Sequence, residues 1–119
     1  SVHAINTSSN IAAYSSSKAA LVGLTRNMAI ELSKFNIRVN SISPGAIDTK
    51  MLRAGLLRGH VGKGTEDSLI NALECKHLLG KIGTPDNVAN LVYYVTNNNF
   101  LTGSNLIIDG GATIKLSTE

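Results

Sequence analysis

Tryptophan is missing from the 119 residues, aromatic side chains of any kind make up 4%, and there is a single cysteine. With so few aromatic faces the chain lacks the stacking platforms on which single-stranded nucleic acid is bound. Cys75 alone cannot close an internal disulfide, so a reducing compartment, the cytoplasm, is expected. No uninterrupted apolar run approaches the roughly 20 residues that cross a bilayer, which excludes a spanning helix. Blocks of like charge are missing too. The eleven Lys and Arg are spread from Lys18 to Lys115 with carboxylates between them. The net charge of +3 therefore reads as a solvated surface, not as a nucleic-acid stripe. No charged-then-apolar leader and no initiator Met open the sequence, and the chain is expected to begin within a longer protein.

What is present suits one domain with a sizeable core: 43% hydrophobic residues and a mean hydropathy of +0.10. Residues 1–10 read as a polar loop ending in Ser8, Ser9 and Asn10, all good N-cap types. A helix follows over about residues 11–34, where Leu21, Leu24, Met28 and Leu32 recur at three- and four-residue steps. Gly23 in its middle costs on the order of 1 kcal/mol against Ala and predicts close packing on another backbone. The alternation across residues 36–42 predicts a strand, ended by Ser43-Pro44-Gly45. Residues 51–58 and 67–79 read as helical, with a mobile link at 59–64. Thr84 and Pro85 predict an N-cap and first helical position for a helix to about residue 94–96, with Val88, Leu91, Val92 and Val95 on one face. A short strand at 105–109 is closed by Gly110-Gly111. Helices alternating with short apolar strands indicate an α/β fold with a parallel sheet. Two strands are too few for a stable sheet, so the remaining ones must come from elsewhere.

Tyr14 and Lys18 stand four apart at the start of the first helix and share a face. A phenol with an ordinary pKa near 10 is a poor acid or base at neutral pH. A cation within about 4–6 Å favours its ionised form, and so does the positive end of a helix. The spacing therefore fits a proton-transfer pair, and it fits equally a Tyr packed at a helix edge beside a solvated Lys. Thr49 is either a ligand contact or the N-cap of the helix after it. His3 is a substrate contact or an ordinary loop residue. Met51, Leu52, Leu56 and Leu57 cover a substrate or pack beneath their own segment. His60, Cys75 and His77 raise a metal reading, but neither Cys-x-x-Cys nor His-Glu-x-x-His accompanies them, and no metal is expected. Asn6-Thr7-Ser8 matches the glycosylation pattern, a chance match in a cytosolic chain.

Taken in order, Ser1, Tyr14-Ser15-Ser16-Ser17-Lys18-Ala19-Ala20, Asn36-Ile37-Arg38-Val39-Asn40, Pro44-Gly45-Ala46-Ile47-Asp48-Thr49, Gly80-Lys81-Ile82-Gly83-Thr84-Pro85 and Asp109-Gly110-Gly111 resemble the short-chain dehydrogenase/reductase family. The resemblance implies a Rossmann-like doubly wound parallel sheet of which residues 1–119 are the C-terminal, catalytic half, with residues 50–79 as a substrate lid. It implies hydride transfer between NAD or NADP and a ketone or secondary alcohol, with small-molecule substrates and a homotetramer or homodimer. Tyr14 would be the general acid or base. Lys18 would support it and bond the nicotinamide ribose, and Ser1 would polarise the substrate carbonyl. Gly45 would admit the cofactor, the Ile47 backbone would face its carboxamide, and Thr49 would bind the carboxamide or a phosphate.

The family's Gly-rich phosphate turn is not among these residues: no Gly-x-Gly-x-x-Gly occurs. Residues 59–65 look superficially like a phosphate loop, but Gly64 separates Lys63 from Thr65 and no strand precedes them, so a hinge is expected there. The chain as it stands is expected to be inactive alone. A non-catalytic assembly module is the alternative, since the helix at 11–34 carries small residues on a long apolar stripe.

Overall fold

The structure is a computed structural model that describes residues 1–58 and 63–114. Its centre is a two-stranded parallel ladder, β1 (Ser41–Pro44) beside β2 (Asn105–Ile108), with Ser41 opposite Asn105 and Pro44 opposite Ile108. Pro44 has no N–H to give and sits last in its strand, where none is needed. Gly45 then resumes the ladder by donating to the Ile108 carbonyl at 3.0 Å. Across the ladder the Asn105 side-chain oxygen accepts from both Ser41 and Ser43 hydroxyls, at 3.0 and 2.9 Å. The fully buried Ser43 is thereby satisfied.

The described residues form four α-helices: α1 (Ala12–Leu32), α2 (Lys50–Leu56), α3 (Glu66–Glu74) and α4 (Pro85–Asn97). A 3₁₀ turn at Val2–Ala4 packs against both α1 and β1. Fully buried apolar side chains are few among the described residues: Ala29 on α1, Leu56 on α2 and Leu69 on α3. The α/β order and the parallel pairing are those read from the sequence.

Three local expectations are corrected. None of Ser8, Ser9 and Asn10 caps α1. Ile11 occupies the N-cap without a side-chain bond, and Asn10 turns the chain with φ 65°, a left-handed conformation that Asn tolerates better than most residues. Nothing described lies within 4 Å of a Cβ built on Gly23; it lines an open groove with Ala19, Val22 and Gly103. The strand expected at 36–42 begins only at Ser41. Asn36 is left-handed at φ 58°, and the polar members of the alternation have another task. Arg38 donates to the carbonyls of Val95, Thr96 and Leu101 at 2.7–3.0 Å. A cation is thus set on the negative end of α4. Asn40 donates to Leu101 O and accepts from Ser104 N. The alternation reflects side chains that stitch down the connection between α4 and β2.

The second helix of the 50–79 segment ends at Glu74, not at residue 79, because residues 75–80 turn back toward the end of β2. Thr84 does cap α4, in a full capping box with Asn87 and with Pro85 next. The hinge expected at 59–64 lies largely outside the described residues, as does His60.

Candidate functional site

Parallel α/β sheets present ligands at the carboxyl ends of their strands. Two loops occupy that edge here, residues 45–49 after β1 and residues 109–111 after β2. A Cβ on Gly45 would meet the Asp109 backbone and side chain at 2.9 Å, so the approach of the second loop is what demands glycine in the first. Gly110 and Gly111 both carry positive φ, 59° and 84°, and Asp109 holds that turn together. Its carboxylate accepts from Gly111 N, Thr113 N and the Thr113 hydroxyl at 2.7–2.9 Å. Burial alone would raise the Asp109 carboxyl, but these bonds outweigh it and hold the group below its ordinary value. Asn6, in the loop after the 3₁₀ turn, donates to Thr113 O at 2.7 Å and joins the first residues to this edge.

Ile47 forms an isolated parallel bridge with Gly83. The bonds of that bridge run from Gly83 N to Ala46 O and from Asp48 N to Gly83 O, at 2.9 and 2.8 Å. In such a bridge the N–H and C=O of the bridging residue face the opposite way. Neither group of Ile47 has a backbone partner among the described residues. One donor and one acceptor, side by side, are left pointing away from the protein's own ladder. Thr49 is the N-cap of α2, its hydroxyl accepting from Leu52 N at 3.2 Å; that leaves the hydroxyl's own proton free to donate. Both readings of Thr49 are compatible.

The start of α1 exposes Tyr14 by 47%. The Lys18 ammonium lies 5.2 Å from the centre of its ring, as the four-residue spacing requires. His3 meets the same ring edge-on, with centroids 5.8 Å apart, an arrangement the aromatic quadrupole favours. Ser1 caps the 3₁₀ turn through its hydroxyl, which accepts from His3 N at 3.3 Å. Tyr14, Lys18 and His3 are thus in direct contact, and Ser1 is joined to them through His3. Burial holds the His3 imidazole below its ordinary value, so the ring on Tyr14 is neutral at pH 7.

Two features have contacts that the sequence does not announce. Arg53 of α2 forms a bidentate pair with Asp48 at 2.8 and 2.9 Å and also bonds Glu66 at the start of α3. The hydrogen bond from Arg53 holds the Asp48 carboxyl below its usual range, and both acids raise the guanidinium further. The 45–49 loop, α2 and α3 are clamped by one side chain. The second feature is His77, buried between the two edge loops. Among the described residues no group of three or more His, Cys, Asp or Glu could hold a metal, and no helix is long and apolar enough to cross a membrane.

Comparison with known proteins covers nearly the whole chain. Residues 1–113 match the family described as Enoyl-(Acyl carrier protein) reductase. The Dehydrogenase/reductase SDR family member 4 of Caenorhabditis elegans is 44% identical over 108 residues, covering 89% of this chain and 40% of that protein. A solved 4-hydroxyisoleucine dehydrogenase complexed with NADH is 37% identical, with a TM-score of 0.82 over 98% of this chain and 45% of its own. ElxO with NADP bound is 30% identical, with a TM-score of 0.78 over 97% of this chain and 44% of its own. The chain thus spans about two fifths of the curated relative's length and under half of each solved chain.

Proposed function

The chain belongs to the short-chain dehydrogenase/reductase family, and on that premise we propose that the protein carrying it transfers a hydride between a nicotinamide dinucleotide and a ketone or secondary alcohol. The observation that carries this reading is the Tyr14–Lys18 pair, an exposed phenol under an ammonium 5.2 Å from its ring. Tyr14 gives a proton to the substrate oxygen during reduction and takes it back during oxidation. Lys18 stabilises negative charge on that phenol and bonds the nicotinamide ribose, and Ser1 hydrogen-bonds the substrate oxygen as charge develops on it.

NAD or NADP fits the edge loops. A carboxamide offers one N–H and one C=O, the complement of the unpaired pair on Ile47. Gly45 belongs to the same loop, and the free Thr49 proton can reach the carboxamide or a phosphate oxygen. When bound, the dinucleotide supplies or accepts the hydride. Bound NADH in 4-hydroxyisoleucine dehydrogenase and bound NADP in ElxO support this class of cofactor without choosing between the two. Residues 50–79 serve as the substrate lid, held at the cofactor side by the Arg53 clamp.

The Gly-rich phosphate turn of the family belongs to the length this chain does not span, so catalysis is a property of the longer protein, not of residues 1–119 alone. The assembly reading also has an observation behind it. Leu21 and Leu24 on α1 and Phe100 after α4 are half or fully exposed, surface that the rest of the sheet and sister subunits of a tetramer or dimer would cover. The two readings are separated by intact mass and activity together. A protein of roughly the relatives' length should consume NADH or NADPH with a carbonyl panel. If that protein neither binds nor oxidises either dinucleotide, the dehydrogenase reading is wrong and the assembly reading stands.

A further inference from the structure

The geometry points to His77 as a positioning residue that couples α3 of the lid segment to the dinucleotide loop at 45–49, an inference that rests on the dehydrogenase reading above. His77 is 6% exposed, and its Nδ1 lies 2.7 Å from the Leu73 carbonyl in the last turn of α3. A carbonyl oxygen only accepts, so Nδ1 carries the proton and donates it. Nε2 is buried and has no partner among the described residues.

The ring occupies a slot that glycines make possible. A Cβ on Gly45 would lie 3.2 Å from His77 Nε2, and one on Gly110 would lie 3.4 Å from its Cδ2. One imidazole therefore touches the loop after β1, the turn after β2 and the end of α3. The neighbouring residues fasten the same joint. Leu79 donates to Gly110 O at 3.2 Å, and Leu78 lies so close over Gly111 that a Cβ there would meet it at 2.8 Å.

A hydrocarbon ring would fill this slot without leaving a buried nitrogen unpaired, and an unpaired nitrogen is costly. What imidazole adds over a hydrocarbon is the tether to Leu73. The 50–79 segment thus meets the cofactor loop twice, through the Arg53 pair with Asp48 and through the His77 ring packed on Gly45. The Arg53 link to Asp48 is partly exposed and can exchange its partners with water. The His77 link is buried and cannot. Ordering of the 45–49 loop by a bound dinucleotide is therefore transmitted to α3 through His77.

The test uses hydrogen exchange on the full-length protein with and without saturating NADH or NADPH, whichever binds, together with the dinucleotide Kd. In the wild type the dinucleotide should slow exchange of the α3 amides about tenfold, a typical coupling between two sites. His77→Asn keeps a donor at the Nδ1 position but takes the ring off Gly45, so it should lose that response. His77→Phe keeps the ring without the tether and should lose the response while still binding dinucleotide, with Kd raised several-fold. Binding to the wild type without any change in α3 overturns the inference and leaves the dehydrogenase reading intact. A response kept in either variant that still binds also overturns it. Should His77→Phe fail to fold, the wild type and His77→Asn decide by the same criteria. A full-length wild type that binds neither dinucleotide overturns both readings.

Discussion

The Lys18 ammonium stands over the Tyr14 ring, 5.2 Å from its centre, while the neutral ring of His3 closes the edge of the same phenol at 5.8 Å. Tyr14, on the first turn of α1, is in contact with both.

Tyr14→Phe in the full-length protein should therefore remove the proton-transfer contribution and little else. Turnover should fall by about 10² to 10⁴, the usual worth of a general acid or base, with the dinucleotide Kd within a factor of about two of wild type. Steady-state rates beside a fluorescence titration of NADH check this. Undiminished turnover would remove Tyr14 from the chemistry.

Arg38 is a question of stability rather than catalysis. Its three bonds to carbonyls near the end of α4 are charge-assisted and oppose the helix dipole. Arg38→Met should cost about 2 kcal/mol, within the range for hydrogen bonds to a charged group, read as a lower urea midpoint with unchanged slope. Arg38→Lys cannot reproduce the fork and should recover only part of the loss. A midpoint unmoved by Arg38→Met would show that the α4–β2 connection holds without it.

The Arg53 clamp should behave differently. Arg53, Asp48 and Glu66 are all more than a third exposed, so Arg53→Met should leave the urea midpoint nearly unchanged. What should change is local order. Proteolysis of the 50–79 segment should quicken, and the substrate KM should rise several-fold with kcat less affected. High salt should produce the same effects in the wild type and none in the variant. Equal salt sensitivity in both proteins would count against the clamp.

The acid limit of stability should report on Asp109. Its carboxyl lies below its ordinary value in the fold, so the ionised form is favoured by folding. Such a group contributes its full stabilisation above its unfolded pKa of about 4, and the contribution fades as pH falls toward the lower folded value. The gap in urea midpoint between wild type and Asp109→Asn should be constant from neutral pH down to about 5 and narrow below about 4. A gap that stays constant into the acid range would mean that Asp109 titrates normally.

Legibility in the sequence followed how local each cause is. Thr84 and Pro85 announce α4 because a cap and a missing N–H act within one turn, and the structure keeps both. Tyr14 and Lys18 meet because a helix fixes residues four apart. The order of helices and short strands gave the parallel α/β arrangement for similar reasons. The misread segment at 36–40 shows where this fails. Its alternation is that of a strand, but Arg38 and Asn40 answer to carbonyls about sixty residues away, and only tertiary structure reveals those partners. Gly23 meets no other backbone among the described residues and lines an open groove instead. Asp109 and His77 crowd Gly45, a demand for glycine that its neighbours in the sequence do not announce. The Asp48–Arg53–Glu66 clamp and the slot for His77 joined residues that no periodicity relates.

The free donor and acceptor on Ile47 carry one further consequence. They belong to the main chain, so replacing the Ile47 side chain leaves both in place. An alanine scan across residues 45–49 would report the packing of the Ile47 side chain on Gly83 and leave the backbone pair untested. Only an edit to the backbone itself, such as an ester in place of the Ile47 amide introduced by chemical synthesis, would make its contribution visible.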